Sequence, residues 1–326
     1  MMEIIDYSVV IRTTGNAHEK YQHLLNSVSN LIPPPKEIIV VLPEGYDLPE
    51  EKLGWETYYF SPKGMIIQRT TGINKCLTKY ALVCDDDVEF DVDFVQKLYN
   101  PIKKGICKLS IGPLYSFLPK RGINSFLSLI MANASPTLFH RDRYISVLRS
   151  SGYSYNRNLK MKYAKYYETQ SGPWTCFFGE VEALKRINID EEIWLDKHGY
   201  SAMDDQTMFY KGCLRGIKTM TVPNAEYIHL DAGTSKKNNR LPVMFSTGFN
   251  RVVFWHRFIY CKQRNVFQKG WARLCVHYYL MWLFMFDIYD LLRKGITWNE
   301  FLVKRNGYKS GWKYTKSDEY KKLPPA

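Results

Sequence analysis

Three consecutive aspartates, Asp85-Asp86-Asp87, close the apolar run Tyr80-Ala81-Leu82-Val83-Cys84. The run has neither alternation nor a helical period, and it reads as a short buried strand. Carboxylates gathered at a strand end repel one another unless something positive sits between them. Hard oxygen donors suit Mg²⁺ or Mn²⁺, ions that bridge to the phosphates of a substrate. The other reading of such a triplet is an acidic turn, because aspartate favours turns and helix caps. Asp91 and Asp93 fit that second description, since they precede the apolar Phe94, Val95 and Leu98 and suit the start of a helix. A second acidic pair, Asp204-Asp205, stands before the helical pattern Met208, Phe209, Leu214. Either carboxylate there can take a proton from an attacking hydroxyl or cap the helix. The residues alone do not separate the two.

The elements that must hold these groups alternate along the chain. Ser8-Val9-Val10-Ile11 reads as a buried strand, followed by the turn-like Arg12-Thr13-Thr14-Gly15-Asn16. A helical pattern runs through Tyr21, Leu24, Leu25 and Val28 and ends before Pro33-Pro34-Pro35, since proline cannot continue a helix. Residues 37–42 form a second apolar strand, residues 64–74 lie in a second helical stretch, and the aspartate-bearing strand follows. This alternation predicts an α/β fold with a mostly parallel central sheet flanked by helices. Ligands of such sheets bind beyond the carboxyl ends of the strands, where the triplet lies.

Taken in order, these segments resemble a family 2 glycosyltransferase with the GT-A nucleotide-sugar-binding fold. The matching residues are 8–11 with Thr13, 37–41, Gln68-Arg69 with Gly72-Ile73, and Asp85-Asp86-Asp87 with Val88. Asp204-Asp205, Leu214-Arg215-Gly216 and His229 continue the match, so that it covers residues 8–229. The resemblance implies that Asp85 and Asp87 hold Mn²⁺ or Mg²⁺ on the donor diphosphate and that His229 completes the metal site. It implies that Asp205, the second acid of its pair, is the catalytic base, with Asp204 beside it. It also implies donor contacts from Thr13, Gln68, Arg69 and Asp86, and inversion at the anomeric carbon. Members of the family often carry acids just after the second strand, whereas this chain reads Leu42-Pro43-Glu44-Gly45. Glu44 is the candidate for that nucleoside contact, from a shifted position, and the base of the nucleotide stays open.

The chemistry agrees with those roles. A leaving diphosphate gains negative charge that a divalent ion can stabilise, and the attacking hydroxyl needs a carboxylate within hydrogen-bond reach. Trp174 and Trp194 stand in the aromatic middle of the chain and are the candidates for packing on the acceptor sugar. A non-catalytic glycan- or lipid-binding protein on the same fold would be expected to have lost the aspartates. A Mg²⁺-dependent nucleotidyltransferase would be expected to carry a basic glycine-rich loop after the first strand, of which Arg12-Thr13-Thr14-Gly15 is a poor version.

Charge divides the chain. Residues 1–235 are neutral, so the formal net charge of +13 comes from residues 236–326, with 18 basic and 5 acidic side chains. That region is expected to be a mainly helical appendage joined at residues 238–242, with a loose tail over 309–326. The preceding 1–235 would form the catalytic domain, with a nucleotide-sugar half over 1–112 and an acceptor half over 113–235. Residues 278–286 are apolar and aromatic but fall short of the ~20 residues that span a bilayer. Beside Arg251, Arg257, Lys262, Arg264, Lys269 and Arg273 they suit an anionic membrane surface. No recognised nucleic-acid motif is present. The start of the chain lacks the basic and long apolar regions of a secretory leader, and seven cysteines without a Cys-x-x-Cys pair suit a reducing compartment. The expected place is therefore the cytoplasmic face of a membrane, and the expected acceptor a lipid-linked or cell-surface glycan.

Overall fold

The apolar run before the aspartates becomes the middle of the sheet. In the computed structural model, which describes residues 4–115, 123–131, 143–156, 161–230 and 240–326, the run is β4 (Tyr80–Asp85). It pairs in parallel with β1 (Tyr7–Arg12), which pairs in parallel with β2 (Glu37–Pro43). The strand β3 (Thr57–Ser61) extends this half at its edge. The sequence reading missed β3, and its exposure explains why: a half-solvated edge strand has no continuous apolar run. Helix α1 (Glu19–Ser29) buries Tyr21, Leu24, Leu25 and Val28, the four positions its period selected. Helix α2 (Met65–Lys75) lies so close to β1 that a β-carbon on Gly72 would meet Val10 at 2.4 Å.

The sheet then turns mixed. Its order is β3-β2-β1-β4-β10-β6-β11-β9. Here β6 is Leu109–Ile111, β9 Tyr167–Thr169, β10 Cys176–Glu180 and β11 Thr219–Thr221. Strand β10 runs antiparallel between β4 and β6, which brings Thr175 O within 2.8 Å of Asp85 N. Two short strands, β5 (Val88–Phe90) and β12 (Tyr227–His229), form a separate antiparallel ribbon beside the triplet, and β7 (Ile145–Val147) and β8 (Ser154–Asn156) form another. Alternate residues of β1 and β2 feed opposite faces: Val9, Ile11, Ile38 and Val40 pack under α1 and α3 (Phe94–Lys103), while Val10, Ile39 and Val41 face the other way. A sheet buried on both faces explains strands that read as unbroken apolar runs.

The second face is covered by α2, α5 (Val181–Ile187) and α6 (Asp204–Leu214), and by part of the basic C-terminal region. That region is helical: α7 (Arg240–Phe254), α8 (Val266–Leu292), α9 (Trp298–Tyr314) and α10 (Asp318–Lys321). Part of the expected junction falls outside the described residues, and Leu241 and Pro242 already belong to α7. Helices α7 and α9 touch backbone to backbone, since a β-carbon on Gly307 would lie 2.2 Å from Phe245 O. Phe249, Val253, Phe254, Trp255 and Phe258 join the core cluster that contains Val10 and Phe177.

Three expectations for this region change. Arg257 does not face lipid: it is buried and paired with Glu192 at 2.5 Å, because Glu192 has no solvent to satisfy it. Arg251 also turns inward, donating to the Tyr279 hydroxyl at 2.7 Å. The tail is not loose, since Arg257 donates to Pro324 O at 2.7 Å and Tyr320 bonds His256 at 2.6 Å.

Candidate active site

Parallel pairing sets Arg12 opposite Asp85 at the carboxyl ends of β1 and β4. Arg12 Nε donates to Asp85 Oδ1 at 3.1 Å. From α2, Arg69 Nη2 reaches both oxygens of Asp85 at 2.7 and 2.9 Å. The other end of the same guanidinium donates from Nη1 to Asp204 Oδ2 at 3.1 Å. Arg69 is 1% exposed and lies over the Trp174 ring, 4.6 Å from its centroid. A planar fork suits this bridging where a single ammonium would not. Arg69 thus joins the triplet to the second acidic pair, reaching Asp204 across 135 residues of sequence from its own position.

The members of the triplet differ in what they meet. Asp85, expected on the metal, accepts from Arg12 and Arg69. Asp86 accepts from Thr13 Oγ1 at 2.5 Å, and burial pushes its carboxyl up to about 6 against the pull of Arg12. Asp87 faces His229, with Oδ1 3.2 Å from Nε2. The ribbon makes that meeting: His229 is paired with Val88, and Leu230 N donates to Asp87 O at 2.8 Å. Among the described residues no group of three or more acidic, histidine or cysteine side chains forms a ready metal cluster. Asp87 and His229 do bring a hard oxygen and an imidazole nitrogen together, and that pair fits Mn²⁺.

Asp204 and Asp205 open helix α6. The residue before them, Met203, has φ 71°, in the left-handed region that a β-carbon disfavours. Such strained positions concentrate at functional sites. Trp174 N donates to Asp205 Oδ1 at 2.9 Å. Burial, and then the charge of Asp204 alongside, hold the Asp205 carboxyl well above the usual carboxylate range. Burial also raises Asp204, against the pull of Arg69.

Other expected residues take different places. Gln68 is 2% exposed and donates to Thr13 O at 3.0 Å and Val41 O at 3.1 Å, clamping the ends of β1 and β2. Glu44 is exposed in the turn after β2. Trp174 and Trp194 are fully buried and offer no ring face to a sugar. Trp174 supports Arg69, while Trp194 donates to Glu192 at 2.8 Å within the Arg257 network. The aromatic composition that singled them out is also that of a core.

Three residues were missed. Arg12 looked like part of a turn. Tyr200 has its hydroxyl raised by burial and by Asp204 and Asp205. Asp196 accepts from the backbone of Met65 at 2.9 Å and Ile66 at 3.0 Å, so it seats the start of α2, the helix that carries Arg69. Helix starts attract carboxylates, and that was the available signal. Gly64 precedes α2 because a β-carbon there would lie 2.5 Å from Asp196 Oδ2.

The fold is shared with two solved structures. GalNAc-T7 with UDP, GalNAc and Mn²⁺ matches over 89% of this chain and 57% of its own, with 14% identity and a TM-score of 0.51. Residues 1–349 of S. aureus TarS, in complex with UDP-GlcNAc, match over 93% of this chain and 79% of theirs, with 13% identity and a TM-score of 0.50. This chain therefore spans little more than half the length of the GalNAc-T7 chain. At these identities the likeness is one of fold. That fold, with an acidic cluster at its strand ends, is of the GT-A type. The profile described as glycosyl transferase family 2 matches residues 8–187, more than half of the chain, and the chain belongs to that family. No curated protein matches the sequence significantly.

Proposed function

We propose that the protein moves a glycosyl group from a nucleoside-diphosphate sugar to a hydroxyl acceptor, with inversion at the anomeric carbon. The observation that carries this reading is the Arg69 bridge between two acidic groups, one beside Asp87 and His229, the other ending in Asp205. On the donor side, Asp87 and His229 would hold Mn²⁺ or Mg²⁺. A divalent ion there would stabilise the charge gained by the leaving diphosphate. Thr13 and Asp86 offer a coupled hydroxyl and carboxyl to the nucleoside, and Glu44 is open to solvent for a ribose contact. Both structural neighbours hold UDP or a UDP-sugar, so a uridine donor is the first to try.

On the acceptor side Asp205 takes the hydroxyl proton as the bond to carbon forms. Its raised affinity for a proton improves it as a base near neutrality. Asp204 and Arg69 fix its surroundings, and the Trp174 N–H fixes the carboxylate itself. The basic C-terminal region supports an acceptor at the cytoplasmic face of a membrane, a lipid-linked or cell-surface glycan.

The test is nucleoside-diphosphate release from a panel of nucleotide sugars with Mn²⁺. Wild type is expected to turn over at least one donor. Asp205→Asn is expected to lower turnover by about 10²–10⁴-fold with donor affinity unchanged. Wild-type turnover in Asp205→Asn with loss in Asp204→Asn would move the base to Asp204. Wild-type turnover in both would refute the assignment.

A further inference from the structure

The helix α8 has 27 residues, about 40 Å of length at 1.5 Å per residue. One side of it is packed: Ala272, Cys275, Val276 and Tyr279 are buried. The opposite side is apolar and bare. Phe267, Trp271, Leu274, Met281, Met285 and Leu292 recur at steps that keep one face of a helix, and they are 89, 56, 61, 49, 50 and 77% exposed. The helix α4 (Ile123–Met131) packs against α8 and adds exposed Ile123 and Phe126 to the surface. Single exposed apolar residues are ordinary; a contiguous stripe of them marks an interaction surface.

Charge says what covers it. Neither acid of α8 lies on the stripe: Asp287 is buried, with Lys304 at 2.6 Å, and Asp290 falls on the other side of the helical wheel. At the start of the stripe a cavity of about 850 Å³ is lined by Arg149, Lys262 and Arg264 beside Phe267 and Trp271, with no acidic residue among its walls. A second copy docked here by two-fold symmetry would bring the basic cluster of Arg149, Lys262 and Arg264 against a second such cluster, with no acidic residue of that cavity to offset it. No helix among the described residues is long and apolar enough to cross a membrane, which leaves an in-plane arrangement.

We propose that the outer face of α8, with α4, lies in the interfacial layer of an anionic lipid bilayer. The stripe enters the acyl boundary, and Arg149 and Arg264 meet headgroup phosphates, while Lys262 is held by Ala326 O. This rests on the membrane placement proposed above and names the surface that achieves it. It replaces the inward-facing Arg251 and Arg257 as lipid contacts.

The full chain is tested by co-sedimentation with vesicles of phosphatidylglycerol and phosphatidylcholine, and with phosphatidylcholine alone. The variants are Phe267→Ser/Leu274→Ser/Leu292→Ser and, separately, Arg264→Glu. All three apolar positions are mostly exposed, so the fold does not depend on them, and thermal melting checks this. Wild type is expected to bind the anionic vesicles, more weakly at high salt. The triple variant is expected to lose at least about tenfold in partitioning, and Arg264→Glu to lose part of it. Equal partitioning of wild type and triple variant overturns the surface while sparing the membrane placement. No binding by wild type overturns both. A wild-type dimer in sedimentation velocity that the triple substitution dissociates, without vesicle binding, makes the face a homodimer interface. Nucleoside-diphosphate release in solution is expected to be unchanged in every variant, so none of these failures touches the reading of the active site.

Discussion

Asp205 sits where a carboxylate is uncomfortable. It is largely removed from water and has Asp204 as its neighbour, so its proton is held well above the usual carboxylate range. Two consequences follow, with opposite signs. In the proposed role of base Asp205 works only when deprotonated, so turnover is expected to fall as pH drops through its titration. That acid limb is expected above the ordinary aspartate value of about 3.9, and kcat/KM against pH reads it directly. Stability runs the other way. A carboxyl with a raised folded-state pKa binds more protons folded than unfolded, so stability is lost as pH rises through that window. Asparagine keeps an oxygen that can accept from Trp174 N but carries no charge. Asp205→Asn is therefore expected to melt higher than wild type at pH 7–8 and to lose that advantage in acid; a lower melting temperature at neutral pH would contradict this.

At the scale of elements, α2 carries Arg69, β4 and α6 carry the two ends of its bridge, and the C-terminal helices are tied beneath them. Glu192 is fully buried, with Arg257 at 2.5 Å, Lys211 at 2.7 Å and the Trp194 indole at 2.8 Å. Removing one partner leaves a buried charge partly unpaired. Arg257→Ala is expected to cost about 3 kcal/mol in denaturant unfolding, whereas a solvent-facing arginine would cost a few tenths. Much of this architecture was legible in advance. β1, β2 and β4 are continuous apolar runs, and α1 shows a clear period. The exposed edge strand β3 gave no such signal, and β6, β9 and β11 are too short for any. Nor does sequence say that β10 inserts antiparallel between β4 and β6, because that pairing is non-local. The same limit applies at the site. The triplet and Asp204-Asp205 stood out, but the guanidinium joining them did not. Asp85 was separated from Asp87 by partners that only the fold supplies. Trp174 and Trp194 were misjudged because aromatic composition does not distinguish a sugar platform from a core.

The whole molecule carries two acidic groups, joined by Arg69, at one end of a single sheet, with basic helices packed on the sheet's second face. Its central claim is a division of labour: Asp87 with His229 serves the donor, and Asp205 serves the acceptor. The most direct measurement is calorimetric titration of a nucleoside diphosphate, UDP first, with and without Mn²⁺, into wild type, Asp87→Asn and Asp205→Asn. The expected result is Mn²⁺-dependent binding by wild type and Asp205→Asn, and loss of that dependence in Asp87→Asn. Undiminished Mn²⁺ dependence in Asp87→Asn, or its loss in Asp205→Asn, would contradict the claim.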